Sequence, residues 1–369
     1  MTTVTRQHVL SFRVHRQQLD RAAGALTDTD LLDMGAQDTG PDGALWALAV
    51  RGVDTTAVDP ADLITAWTLR GAPHVYRRSD LASVATAVQP FSEADAAKRI
   101  LDASKPLQAA GISSLQALDT VAQQMRAIVI DPMVKGDVST ALTQRLDEPY
   151  LRFCRPCNAT HAHEMPFRLG ALRGGLELQH GTSPPVLQRV DGLTPPSEGA
   201  SAVQPRHDVV RATLHLLGPA TPAQVAGYLD APLADVRARW PVDVTPVEVD
   251  GQQRWALADD LDALVGAEAV ADRLLGPYDL FLQGRDRDLL VPDPAHAKAL
   301  RPVLGRPGAV LLGREVAGLW RPRKSGSTLT VSVGLWARRT RAAERAVEAG
   351  AEALASFRGL RLAAVDYAG

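Results

Sequence analysis

Hydrophobic positions recur at helical spacing through most of this chain and switch to strand-like runs in its last quarter. Over 4–22, VTRQHVLSFRVHRQQLDRA predicts a helix with Val9, Leu10, Phe12 and Leu19 inward and a polar, basic face outward. Asp28 or Thr29 can cap a short helix through Met34, ended by Gly35, where a positive φ is often needed. Gln37, Asp38 and Thr39 then form a turn held by Gly40 and Pro41. Another helix starts near Gly43, with Leu45, Trp46, Leu48 and Ala49 as its buried stripe. Asp59–Pro60 is expected to open a helix over ADLITAW. TLRGAPHVYRR reads as a hairpin about Gly71–Ala72 that displays Arg70, His74, Arg77 and Arg78. Helices followed by a hairpin make a winged-helix pattern over 1–90.

The pattern continues in modules. Ser92 caps SEADAAKRIL, and LDTVAQQMRAIVID is amphipathic up to Pro132; KGDVSTALTQRL is a further short helix with Asp137 or Ser139 as cap. These define a second winged-helix region, 91–200, whose end (181–205) is rich in Pro, Gly and Ser and reads as a linker. In 201–272 three helices (RHDVVRATLHLL, TPAQVAGYLD capped by Thr221 with Pro222 at its first position, APLADVRARW) precede the hairpin TPVEVDGQQRWAL turning at Asp250–Gly251. From 273 to 369, YDLFLQG, RDLLVP, GAVLLG, EVAGLWRPR and STLTVSVGLW suggest a small barrel or curled sheet, closed by a helix from Arg338 to Phe357. The fold class is α+β: tandem winged helices, then a small β-barrel.

Composition narrows this picture. A 369-residue chain with 46% hydrophobic residues can bury several cores. Arg outnumbers Lys and Ala is abundant, marks of a GC-rich bacterial genome. Two cysteines and no signal-like leader point to a reducing cytoplasm, and no stretch is apolar enough to span a bilayer. The net charge of −2 hides a gradient: Leu274 to Gly369 carries +6 and Arg301 to Arg345 carries +8. Such a stripe fits a localised anionic partner or, equally, a solvated arginine face.

Three clusters could carry chemistry. Gln37 and Asp38, held rigidly between two buried helices, suit the positioning of a water molecule; their ordinary alternative is capping and solvation. Trp320 with Arg321, Arg323 and Lys324 on a protruding hairpin could wedge into a groove while neutralising phosphates. Cys154, Cys157, His161 and His163 are the one metal-like set, but Cys157 and His161 are too close for a zinc-finger loop, so no stoichiometric metal is expected.

The segments LLDMGAQDTGPDGALWAL, AWTLRGAPHVY, CNATHAHEMPFRLGALRGGLEL, GPYDLFLQGRDRDLLVPD and VAGLWRPRKSGSTLTVSV together resemble the winged-helix DNA glycosylases of the AlkZ/YcaQ type, in family order. The resemblance implies a DNA repair enzyme that cleaves the N-glycosidic bond of bulky or N7-alkylated purines, including interstrand crosslinks, in double-stranded damaged DNA. It implies no cofactor, and a monomer is expected. Its catalytic signature, Gln-x-Gln or Gln-x-Asp followed by an acid, maps Gln37 and Asp38 onto site positions but places Gly35 where the first Gln belongs. His74 falls on a position beside the site. Arg70, His74, Arg77, Trp320, Arg321, Arg323 and Lys324 are the expected DNA contacts. The alternative is a non-catalytic DNA-binding protein or regulator.

Overall fold

The first departure from the helical reading comes at Leu63–Trp67, which is a strand buried at every position. Only the single turn Pro60–Asp62, capped by Asp59, is helical. The apolar run LITAW has no polar face to give solvent, and a sheet interior covered on both sides takes such a run better than a surface helix does. It pairs with Pro73–Arg77 in a hairpin whose turn runs through Thr68–Ala72. The computed structural model describes residues 1–40 and 42–367, so the expected role of Pro41 lies outside the described residues.

That hairpin is the centre of a six-stranded sheet. Its order is Ala36–Gln37, Pro73–Arg77, Leu63–Trp67, Leu176–Leu178, Val186–Arg189 and Met133–Val134. Gln37 is therefore the end of a short strand rather than a turn residue. Val186–Arg189 is a strand inside the stretch expected to be a linker, where alternation between its Pro and Gly neighbours leaves Leu187 fully buried. The helices Ser114–Ile128 and Glu164–Arg173 pack against one another beside this sheet. Lys135–Thr143 forms as expected, but neither Asp137 nor Ser139 caps it; its cap residue is Val134. The helix before Pro132 ends at Ile128.

Residues 207–257 follow the predicted order closely. Val209–Leu217 is capped by Asp208, and Pro222–Leu229 has the reciprocal Thr221/Gln224 capping box. Leu233–Ala238 follows, and Val244–Val249 pairs with Gln252–Leu257 about Asp250–Gly251. Thr2–Val4, a strand outside the sequence pattern, adds in parallel to Val244–Val249. The first long helix is then only Arg6–Arg16, and Arg13 on its expected outer face is 1% exposed.

In the last quarter, YDLFLQG and RDLLVP are not strands but the helical turns Leu280–Gln283 and Arg287–Leu290. Asp279 caps the first of these. The sheet runs Arg273–Leu275, Gly308–Leu312, Glu315–Ser325, Thr328–Leu335, Arg361–Tyr367. Its first and last strands are not paired among the described residues, so it is an open sheet and not a closed barrel. The helix Arg341–Phe357 packs across it. Arg361–Tyr367, a strand that the sequence pattern does not announce, returns in parallel to Thr328–Leu335.

Cores cross the boundaries drawn from sequence. One holds Val9, Leu10 and Phe12 of the first helix with Leu274, Val310, Trp320 and Leu354. Another joins Leu31, Leu32 and Leu48 to Leu214, Leu229 and Leu280. Three buried ion pairs, two of them sharing Asp286, run along the same seams. Asp286 receives Arg13 at 2.6 Å and Arg254 at 2.6 Å. Arg51 and Asp279, both fully buried, meet in a bidentate pair at 2.8 and 2.9 Å. Arg51 also donates to the carbonyls of Ala47 and Gln17. A buried guanidinium without its carboxylate is strongly destabilising, so Asp279→Ala should cost about 3–5 kcal/mol in denaturant unfolding. A cost below about 1 kcal/mol, the ordinary worth of an exposed pair, would show that the pair does not hold the seam.

Candidate active site and nucleic-acid interface

Gln37 is placed by its strand. Ala36 pairs with Val75, Gln37 with His74, and the Asp38 amide donates to the Pro73 carbonyl at 2.8 Å. Its own side chain is held at both ends. Nε2 donates to Thr39 Oγ1 at 3.1 Å, and Oε1 accepts from Arg70 Nη2 at 3.3 Å. Gln37 lines two neighbouring cavities. One, about 320 Å³, is walled by Asp42, Trp46, Tyr278, Trp320 and Arg358. The other, about 190 Å³, is walled by Arg70, Arg285, Arg287, Arg301 and Arg306. Tyr278 and Arg306 are shared by both, with Arg306 stacked 4.8 Å over the Tyr278 ring.

Asp38 goes elsewhere. Its Oδ1 accepts the Ala44 amide at 3.0 Å, which caps the helix Gly43–Ala49. A β-carbon on residue 43 would lie 1.9 Å from that oxygen, so the capping geometry requires Gly43, at φ +44. The carboxylates that do line the larger cavity are Asp42, paired with Arg358, and Asp279, paired with Arg51. Asp42 is not among the residues that the sequence singles out, because nothing in QDTGPDG separates a capping acid from a cavity-facing one.

The expected display of Arg70, His74, Arg77 and Arg78 on a hairpin is corrected for His74 and Arg77, while Arg78 is half-exposed and paired with Glu177. His74 is 1% exposed, with Nδ1 at 3.0 Å from both Thr68 Oγ1 and the Ala72 carbonyl. Burial, then the charge of Arg70, pushes its pKa down to about 3, so it is neutral at physiological pH. Arg77 is spent on Asp33 and Asp80 and on the carbonyls of Leu26 and Thr29. The two side chains lie on opposite faces of the sheet, three residues apart on one strand, and both faces are covered because the hairpin is central rather than protruding. Arg70 alone reaches a cavity. It sits in the turn at φ 58, bonded to Gln283 Oε1 at 2.7 Å and stacked 4.6 Å from the Tyr228 ring centroid.

The arginine cleft gathers residues from distant parts of the chain. In the stretch Arg285–Asp288, Asp286 turns inward to Arg13 and Arg254, while Arg285 and Arg287 turn out to the cleft. Burial first, and then the charges of Arg287, Arg306 and Arg285, push the Arg301 guanidinium down to about 10. Burial with Arg70 and Arg287 likewise lowers Arg285. Arg301 Nη1 and Arg306 Nε are buried with no partner among the described residues. Like charges crowded this way, with donors left over, favour an anion. The +8 run in the sequence contains Arg301 and Arg306, but Arg70 and Arg285 join them only through the fold.

On the cationic hairpin, Trp320 is not a wedge. It is 2% exposed and donates to the Leu275 carbonyl at 2.9 Å, because the strand alternates inward and outward and position 320 is the last inward one. From Arg321 to Gly326 the hairpin is exposed, so Arg321, Arg323 and Lys324 are presented to solvent as expected. Arg321 also stands at the mouth of the larger cavity.

Cys154, Cys157 and His161 lie together at the end of the hairpin Leu151–Cys154/Ala159–Ala162, with ligand atoms within 4.8 Å of one another. His163 does not join them. The strand ends at Ala162, and His163 begins the helix Glu164–Arg173, buried, 3.7 Å from Asp102.

Gly35, the departure from the glycosylase signature, has φ +88, and a β-carbon there would lie 2.4 Å from Cζ and 2.7 Å from the hydroxyl oxygen of Tyr76. That phenol is buried and bonded to Thr68 Oγ1 at 2.8 Å. Space a longer side chain would need is thus filled by Tyr76. Gly35→Gln should therefore lower stability by about 1–3 kcal/mol through overpacking and strain, and in a double-mutant cycle part of this should be recovered on a Tyr76→Ala background. Equal melting of Gly35→Gln and wild type would refute the steric account.

No curated protein sequence matches the chain. The solved structure of Streptomyces sahachiroi DNA glycosylase AlkZ is similar, with a TM-score of 0.74 and 19% identity over 100% of both chains. The model of the family described as "DNA glycosylase AlkZ-like" matches residues 13–357. The chain belongs to the AlkZ-like DNA glycosylase family.

Proposed function

We propose that this protein is a monofunctional DNA glycosylase for N7-alkylated purines, bulky ones and interstrand crosslinks included, in double-stranded DNA. The observation that carries the reading is the position of Gln37 on the wall between an aromatic-lined cavity and an arginine cleft. The larger cavity is the receptacle for an extruded base, with the half-buried Tyr278 ring on its wall. The arginine cleft takes the backbone phosphates beside it, and the hairpin tip Arg321, Arg323 and Lys324 holds the duplex. The helix–helix–helix–hairpin units of 1–90 and 201–272 read as winged helices in this arrangement.

The chemistry suits a cationic leaving group. Both carboxylates lining the cavity are ion-paired, and neutral His74 lies outside it, so neither a carboxylic acid nor an imidazolium is on hand to protonate the base. An N7-alkylated purine needs none: the electrons of the breaking C1′–N9 bond neutralise its own positive charge. Water adds to C1′ of the oxocarbenium-like sugar, gives up a proton, and leaves an abasic site and the free base. Gln37 Oε1 accepts a hydrogen bond from that water, and the Asp42 carboxylate supplies negative charge near the sugar cation. No lysine lines either cavity among the described residues, in keeping with attack by water rather than an amine. Oε1 is bonded to Arg70 in the free protein, so a phosphate drawing Arg70 into the cleft releases the oxygen for its water.

The deciding measurement is release of N7-methylguanine from duplex DNA, with folding checked by thermal melting. Gln37→Ala should lower the rate about 10²–10³-fold with melting unchanged. Equal background release by both proteins would leave the non-catalytic DNA-binding reading. Separately, Arg301→Ala, and Arg321, Arg323 and Lys324 changed together to Ala, should each weaken duplex binding. Each should also reduce its salt slope by about one for every phosphate that the variant no longer neutralises. A slope equal to that of the wild type would remove that surface from the interface.

A further inference from the structure

The hairpin that carries the two cysteines stands apart from the DNA-facing cavities. Leu151–Cys154 and Ala159–Ala162 form a two-stranded sheet of their own, with Phe153 61% exposed. A lone two-stranded hairpin is marginal in water, so this one needs support from what it packs on or from a clip. Its register places Cys154 opposite Ala159 and Arg152 opposite His161. Paired residues and those two apart share a face, so Cys154 and His161 are diagonal neighbours on one face. The turn Arg155–Asn158 is closed by the Asn158 amide on the Arg155 carbonyl at 3.2 Å, with Asn158 at φ 48. It folds Cys157 back towards Cys154. The two sulfurs and a ring nitrogen of His161 consequently lie within 4.8 Å of one another.

The imidazole is oriented as a ligand would be. His161 Nδ1 lies 2.7 Å from the Ala162 carbonyl oxygen. A carbonyl can only accept, so Nδ1 carries the hydrogen and Nε2 keeps its lone pair free. Metal-binding histidines are held this way, with the second nitrogen donating to a backbone carbonyl. The interval of three residues between Cys157 and His161 is too short for a finger loop, and on spacing alone it argues against metal. It is not too short for a hairpin, where the chain reverses within one turn and antiparallel pairing supplies the approach.

We propose that Cys154, Cys157 and His161 bind one zinc ion through two thiolates and Nε2, with the fourth tetrahedral position left to a solvent molecule. Sulfur and imidazole donors suit zinc rather than magnesium or calcium, which take oxygen. Each thiol loses its proton on binding, so the two thiolates balance the charge of Zn²⁺. The ion clips the end of a hairpin that has little core of its own, and takes no part in base release.

The test uses the full chain, purified under reducing conditions, dialysed against a slight excess of zinc and then freed of loose metal. One zinc per chain should be found, with both thiols shielded from a thiol reagent until a chelator is added. Cobalt(II) offered to the chelator-stripped protein should give sulfur-to-metal charge-transfer absorption and the visible bands of a tetrahedral site. Cys157→Ala and His161→Ala should each lose the stoichiometric zinc while melting within a few degrees of the metal-free wild type, because these side chains are near the surface. Zinc uptake unchanged in both variants, no uptake by the reduced wild type, or a Cys154–Cys157 disulfide that forms despite bound zinc would each overturn the assignment. Metal content and thiol reactivity are read without any glycosylase assay, so the outcome is independent of whether the protein cleaves DNA.

Discussion

The buried Arg51–Asp279 pair is the constraint on which the site depends. Arg51 follows the helix Gly43–Ala49, and Asp279 caps the turn Leu280–Gln283. Their bidentate contact fixes the Gln37 segment against the segment that supplies Tyr278, Gln283 and the outward arginines. Arg70 reads the result: it binds Gln37 from one side and Gln283 from the other, and can do both only if the two segments are in register. Burying two charges is expensive and returns little net stability compared with an apolar pair of the same shape. What it gives here is a single relative placement of two loops, something a non-directional apolar contact does not enforce.

The position where the resemblance implies a first Gln holds Gly35, and it leaves no empty space. Residue 35 has no side chain, and the Tyr76 ring occupies the space directly above it, braced through Thr68. The acid next to Gln37 is recruited to hold a helix end, and Asp42, four residues on, stands in the cavity instead. On the proposed reading, a site with one amide and a displaced carboxylate is poorer at pulling a proton from water and no worse at serving a base that already carries positive charge.

Much of this is legible in the sequence where local signals are strong. Thr221–Pro222, Asp250–Gly251 and Gly35 read as what they are, because caps and tight turns are decided by one or two residues. ADLITAW misleads because an apolar run has no period of its own, and only the neighbouring strands settle its form. Trp320 misleads for a related reason: an aromatic flanked by cations looks exposed until the strand's phase is known. The arginine cleft is invisible, since residue 70 and residues 285–306 share nothing in sequence but charge.

The parallel strand Thr2–Val4 and the helix after it have a consequence for how the molecule is made. Val9, Leu10 and Phe12 complete a core whose other members include Leu274, Val310 and Leu354. During synthesis these first residues emerge long before their partners exist, and must wait, apolar and uncovered, for most of the chain to follow. Contacts of such span carry a large loop-closure cost and form late. The protein therefore cannot assemble as beads threaded one after another; the helix Arg6–Arg16 is locked in place only when the sheet of 273–367 arrives.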